Sequence, residues 1–203
     1  MLGAVSETGT ASYEGLTGLP PLVQQAVEIA RRQGFAYSCR PEQGRLLQVL
    51  AGGARTIGET GSGCGVGLAW LATGARPGSK LVSVEIDAER AALTTTLFAG
   101  LPDVTVIHGD WTEIERPGPY DLLVLDGGGQ GKNGERPADP DRLLRPGGTL
   151  VVDDLTPAQA WPPEFAGSID HARMHWLEHP GLDAAEIRLA PDLAALVATR
   201  RFS

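Results

Sequence analysis

Between residues 55 and 152 short β-type runs alternate with helix-type runs, and this alternation restricts the chain to few folds. Residues 55–59 read as a strand and 66–75 as a helix. Residues 80–86 (KLVSVEI) read as a second strand. In the helix that follows, Asp87 suits the N-cap, Glu89 suits the positive first turn and Gly100 supplies a stop. Residues 104–107, 120–125 and 149–152 read as further strands, with a short helix at 140–144. The run 120–125 (YDLLVL) is nearly all apolar, as a strand buried on both faces requires. Strands separated by helices predict a largely parallel sheet covered on both faces. Two successive runs at the end, 185–189 and 193–199, joined through Pro191-Asp192, predict an antiparallel edge. Upstream, Pro20-Pro21 open a helix with Leu22, Val23, Ala26, Val27, Ile29 and Ala30 on one stripe, closed by Gly34. A second helix starts at Pro41, carries Leu46, Leu47 and Leu50, and stops at Gly52-Gly53. The expected organisation is one α/β domain, with an N-terminal helical segment over 1–53 and a core over 54–203.

The 203 residues, 42% hydrophobic and 21% charged, suffice for one domain with a full core. The net charge of −8 and the scatter of the basic residues, paired only at Arg31-Arg32 and Arg200-Arg201, argue against a nucleic-acid partner. Cys39 and Cys64 are too few for a secreted disulfide framework. Residues 1–12 lack a signal pattern, and no stretch is long enough to span a bilayer. A cytoplasmic protein with no membrane partner is expected, with a homodimer as the assembly to consider.

In sheets of this kind ligands bind at the carboxyl ends of the strands. The first strand end carries Glu59-Thr60-Gly61-Ser62-Gly63-Cys64-Gly65. Glycines here let the backbone turn sharply toward a ligand, and the helix that follows presents its N–H groups. The dinucleotide pattern Gly-x-Gly-x-x-Gly fails, at Val66 when started from Gly61 and at Leu68 when started from Gly63. A phosphate-binding loop also fails: Gly131-Lys132 has Asp126 in place of the leading glycine and Asn133 in place of Ser or Thr. Glu85, acidic at the end of a strongly apolar strand, suits the two hydroxyls of a ribose. After the third strand, Asp110 can accept from an adenine amino group and Trp111 can stack on the ring, with an N-cap and a core tryptophan as the plain alternatives.

Taken together these motifs resemble the class I S-adenosylmethionine-dependent methyltransferases. The order Glu59-x-Gly61, Val84-Glu85-Ile86-Asp87, Gly109-Asp110, Tyr120-Asp121-Leu122, Leu125-Asp126 and Leu144-Arg145-Pro146-Gly147-Gly148 is most similar to the catechol and caffeoyl-CoA type O-methyltransferases. The resemblance covers about residues 44–199. It implies a Rossmann-like, doubly wound seven-stranded sheet of order 3-2-1-4-5-7-6 with the last inserted strand antiparallel. It also implies methyl transfer from S-adenosylmethionine to a small-molecule acceptor, at a hydroxyl oxygen. Glu59, Gly61, Ser62, Gly63 and Gly65 would hold the methionine part, Glu85 with Ile86 the ribose, and Asp110 with Trp111 the adenine, with Asp126 beside them. Residues 39–44 correspond to the stretch lying over the cofactor in relatives.

Asp126, Asp153 and Asp154 end adjacent strands, and close carboxylates repel unless a cation or protons neutralise them. In the metal-dependent members of the resembling family such a triad binds Mg²⁺, which suits oxygen ligands. Those members carry a base lysine three residues after the strand-four Asp. Here Gly129 stands at that place, and Lys132 could serve only if the loop bends back. Asp126 and Lys132 are therefore the catalytic candidates. His171, His175 and His179 would share one face of a helix, but lack the acidic partner of a zinc-protease motif. Trp161 and Trp176 are candidate walls of an acceptor site, or core residues. A nicotinamide-dependent oxidoreductase and a non-catalytic cofactor-binding protein are the competing functions.

Overall fold

A computed structural model describes residues 8–202; residues 1–7 of the expected N-terminal segment lie outside them. The chain opens with two helices, α1 (Pro21–Arg32) and α2 (Pro41–Ala51), each entered through a proline at its first position. The alternating part follows: β1 (Thr56–Thr60), α3 (Val66–Gly74), β2 (Lys80–Glu85), α4 (Ala88–Leu97), β3 (Val104–His108), β4 (Tyr120–Leu125), α5 (Pro140–Leu143) and β5 (Leu144–Leu155). A small hairpin, β6 (Glu164–Phe165) and β7 (Ser168–Ile169), and helix α6 (His171–Leu177) precede β8 (Leu182–Ala190) and β9 (Leu193–Arg200).

The main sheet has seven strands in the order β3-β2-β1-β4-β5-β9-β8. Pairings among β1 to β5 are parallel, and β9 runs antiparallel to both β5 and β8. Counted without the hairpin, this is the expected order with the last strand inserted and reversed. β4 shows why it must lie in the middle. Leu122 and Val124 join an apolar cluster with Val27, Leu47 and Leu68 of α1, α2 and α3, while Leu123 and Leu125 join one with Leu150, Leu196 and Trp176 on the other face. Successive side chains point to opposite faces, so only a strand covered on both sides carries such a run.

β8 starts at Leu182 rather than at 185, and three further details differ from the sequence reading. β5 is longer than 149–152: it begins at Leu144, whose partner is Tyr120, and runs to Leu155. Helix α6 ends at Leu177, so His179 lies beyond it and the three histidines do not form one helical stripe, although the His175 and His179 rings meet edge to face at 5.5 Å. Hairpin β6–β7 lies in a polar, Pro-rich stretch for which no strand was expected, because two-residue strands leave no periodic signal.

Candidate active site

The strand ends open onto a cavity of about 420 Å³ lined by Gly61 and Gly63 after β1, Glu85 and Ile86 after β2, Gly109, Asp110 and Trp111 after β3, and Asp126 and Gly127 after β4. Its roof is Phe35 and Tyr37 from the segment between α1 and α2. The cavity therefore collects most of the residues singled out from the sequence, and it does so because parallel strands deliver all their carboxyl ends to one edge.

Close backbone approach shapes its floor. Gly61 has φ +84°, and a Cβ there would fall inside the backbone of Gly127. The first and fourth strand ends can touch only because that position has no side chain. Gly63 donates its N–H to Glu85 Oε2 at 2.7 Å. Glu85 Oε1 accepts from the Asp87 N–H at 2.9 Å and from Arg90 Nη2 at 3.0 Å. Glu85 is thus fixed at the wall, tied to the glycine loop on one oxygen and to the first turn of α4 on the other. The Arg90 guanidinium also sits over the Phe35 ring, 5.3 Å from its centroid, so roof and wall meet through this residue.

Glu59, Ser62 and Gly65 stand behind the loop rather than on the cavity wall. Glu59 is buried, and its Oε2 accepts from Ser83 Oγ at 2.5 Å; Ser83 Oγ and Ser62 Oγ share a further 2.5 Å hydrogen bond. Burial, with Glu85 and Asp153 nearby, pushes the Glu59 carboxyl up to about 8. Gly65 caps α3 at φ +85°. Asp110 takes the N-cap role weighed for it. Its Oδ1 accepts from Thr112 N–H and Oγ1, at 3.0 and 2.7 Å, while the residue stays exposed at the cavity edge. The Thr112 N–H holds its carboxyl below the usual range.

Asp126, Asp153 and Asp154 line one further space, about 10 Å³, together with Cys39 and Arg40. A register shift between Val152 and Leu155 lifts Asp153 and Asp154 out of the ladder with β9, and Asp154 takes φ +63°, an uncommon conformation outside glycine. Burial first, then Asp153 and Asp154, pushes Asp126 well up; burial and Asp154 push Asp153 up to about 7. The loop does bend back: Lys132 Nζ donates to the carbonyl oxygens of Asp153 and Asp154 at 3.0 and 3.1 Å. This set does not fit a divalent cation. The Lys132 ammonium is held on the Asp153 and Asp154 carbonyls, Arg40 stands on the wall of the space, Asp153 Oδ1 accepts from the Asp154 N–H at 2.7 Å, and among the described residues no three acidic, histidine or cysteine side chains gather as ligands.

A second large cavity, about 460 Å³, lies beside the first. Lys132, Asp154, Leu155, Phe165, Ile169 and His171 are among its walls. Asp154 lines both cavities. Beneath it the buried Arg173 donates to Asp170 Oδ2 at 3.1 Å, Glu186 Oε2 at 2.8 Å and Thr156 O at 2.9 Å, fixing α6 to β8 and to the end of β5. Trp176 is core, not wall: it is buried and donates Nε1 to Gln130 O at 2.9 Å. Trp161 is largely exposed and lines neither cavity. Sequence reasoning missed Phe35, Tyr37, Arg90, Gly127 and Glu135 on the first cavity. The aromatic pair straddling Ala36, just past the Gly34 helix stop, was the available signal for the roof.

Comparisons with known proteins agree with this geometry. The model of a family described as a methyltransferase domain matches residues 59–155. A catechol O-methyltransferase of Mycobacterium tuberculosis is 32% identical over 159 residues, covering 72% of each chain. Among solved structures, the O-methyltransferase of Bacillus cereus in complex with SAH superposes with a TM-score of 0.71 at 21% identity, covering 94% of this chain and 96% of that one. The O-methyltransferase TomG of Streptomyces achromogenes, in complex with SAM, gives a TM-score of 0.71 at 20% identity, covering 96% and 97%.

Proposed function

Because the chain belongs to the S-adenosylmethionine-dependent O-methyltransferase family, we propose that the 420 Å³ cavity holds the methyl donor, that the 460 Å³ cavity holds a small hydroxylated acceptor, and that the methyl group crosses between them at Asp154. The observation that carries this reading is the shared wall: one residue at the end of β5 lines both spaces. Transfer between two bound molecules needs them held in line at contact distance, and adjoining cavities on rigid strand ends supply that arrangement.

Each side chain then has a task. Glu85 Oε2, engaged by a single N–H, keeps a lone pair for a ribose hydroxyl, and Ile86 gives the sugar an apolar neighbour. Asp110 receives the adenine amino group at the cavity edge, with Trp111 against the ring. Gly61 and Gly63 let the amino-acid part of the donor approach the backbone, while Glu59, Ser62 and Gly65 hold that loop from behind. Phe35 and Tyr37 close the site from above. Asp126 and Asp154 face the place where the sulfonium charge lies and disappears on transfer. Leu155, Phe165 and Ile169 offer the acceptor an apolar seat.

The test is transfer of a labelled methyl group from S-adenosylmethionine to a panel of hydroxylated aromatics, alongside calorimetric binding of S-adenosylhomocysteine. Binding with transfer to a hydroxyl oxygen is expected. Binding without transfer to any panel member would favour a non-catalytic cofactor-binding protein, and absence of binding would end the reading.

A further inference from the structure

The loop after β4 is built to return a lysine to the acidic strand ends. Gly128 and Gly129 lie against the Trp111 indole: a Cβ on Gly128 would come within 2.7 Å of the ring, and Gly129, at φ +77°, would place one 3.1 Å from it. A side chain at 129 is therefore strained by the positive φ and crowded by Trp111. At the next residue the chain is pinned. Gln130 Nε2 donates to Leu125 O at 2.7 Å and to Asp153 O at 3.3 Å, and Gln130 O accepts from the buried Trp176. From this anchor Lys132 reaches the Asp153 and Asp154 carbonyls. Arg40, ion-paired to Asp192 at 2.9 Å, stands on the wall of the small space that the three aspartates share. A divalent cation brought there would meet the Arg40 guanidinium on the same wall, while the ammonium held on the Asp153 and Asp154 carbonyls already supplies a positive charge to these strand ends.

We propose that Lys132 supplies the positive charge of the acceptor site in place of a divalent cation, so that the enzyme takes an acceptor with a single acidic hydroxyl on an aromatic ring and needs no vicinal pair of oxygens to chelate. The inference rests on the two-cavity reading above. Lys132 lines the acceptor cavity, two of its three N–H groups are held by carbonyls, and the third is left for an oxyanion. In the step itself the phenol O–H ionises and its proton passes to water. The phenolate oxygen, held by the ammonium, forms the O–CH₃ bond as the S–CH₃ bond breaks, and sulfur keeps the electron pair. The products are an aryl methyl ether, S-adenosylhomocysteine and one proton.

The experiment uses the full chain saturated with S-adenosylhomocysteine, as wild type, Lys132→Met and Lys132→Arg. Magnesium chloride is titrated calorimetrically into each. Wild type and Lys132→Arg should give no saturable heat up to millimolar metal, and Lys132→Met should acquire magnesium binding. Saturable binding to the wild type, or a Lys132→Met protein as blind to metal as the wild type, overturns the proposal. In a second arm 4-nitrophenol is added at a pH where the free probe is mostly neutral, and the phenolate absorbance is read. The wild type should bind the ionised form, and Lys132→Met should bind it at least tenfold more weakly; equal or absent phenolate binding in the two overturns the proposed acceptor. Should Lys132→Met fail to fold, the wild-type and Lys132→Arg titrations still decide. S-adenosylhomocysteine binding, measured on the same proteins before saturation, separates the two readings: its absence in wild type strikes the donor cavity, whereas intact binding with a magnesium signal strikes only the role of Lys132.

Discussion

At the scale of single residues, two glutamates on neighbouring strands do opposite work. Glu59 is sealed behind the glycine loop, and its carboxyl is raised from 4.5 to about 8 chiefly by burial. A carboxyl whose folded value lies above its unfolded value favours the folded state in its protonated form. That contribution is complete below about 4.5 and is lost as the pH rises through about 8. The apo protein should therefore show a falling melting temperature across this window, and Glu59→Gln, which cannot ionise, should flatten the fall; differential scanning fluorimetry across the window measures both. A wild-type curve that is flat or rises there would contradict the assignment. Glu85 faces the cavity and accepts from Gly63, Asp87 and Arg90. Glu85→Gln should weaken S-adenosylhomocysteine binding about tenfold, because hydrogen bonds to a charged acceptor contribute roughly 1.5–3 kcal/mol against about 1 for neutral ones. Both glutamates stood out in the sequence, since an acid at the end of an apolar strand has few structural reasons to be there. Which of them faces the ligand was not legible. It depends on which way each side chain turns at its strand end, and on Ser83, a neighbour supplied by another strand.

At the scale of elements, the strands and helices were readable wherever periodicity ran for five residues or more. β4 was bounded to the residue because a six-residue apolar run leaves no second interpretation. Between β5 and β8 the helix was readable, but the hairpin and the way the stretch is held were not, because that order comes from a buried arginine rather than from a pattern. Arg173 binds Asp170 at the start of α6, Glu186 on β8 and the Thr156 carbonyl, all from a side chain that is 1% exposed. Removing one partner of such a cluster strands the others, at about 3–5 kcal/mol. Arg173→Met should accordingly lower the melting temperature by roughly 6–20 °C, taking about 2–4 °C per kcal/mol for a chain of this size. It should also enlarge the acceptor KM more than the donor KM, since Arg173 and Asp170 wall the acceptor cavity and not the donor one. Donor and acceptor KM rising together would show that the clamp supports the whole sheet edge instead.

At the scale of the whole molecule, the sheet order explains why sequence motifs scattered between Gly61 and Asp154 meet in one place. The order β3-β2-β1-β4-β5 puts β1 and β4 side by side, so Gly61 meets Gly127 and the loops after β1, β2, β3 and β4 line one cavity. Topology made the cavity proposed for the donor legible from local motifs. The cavity proposed for the acceptor draws on residues from 131 to 173 whose proximity no local pattern encodes. This division predicts how the molecule responds to ligand. A molecule bound only by the folded strand-end face stabilises the fold by RT ln(1 + [L]/Kd), about 2.7 kcal/mol at a hundredfold excess over Kd. S-adenosylhomocysteine at that excess should raise the melting temperature by roughly 5–11 °C. NAD⁺ at the same concentration should leave it unchanged, because the loop after β1 has Val66 where the dinucleotide pattern places its third glycine. Equal shifts with both ligands would mean that the cavity recognises only the adenosine they share. The contacts assigned to the amino-acid end at Gly61 and Gly63 would then carry no specificity, and discrimination between donors would have to arise at the roof formed by Phe35 and Tyr37.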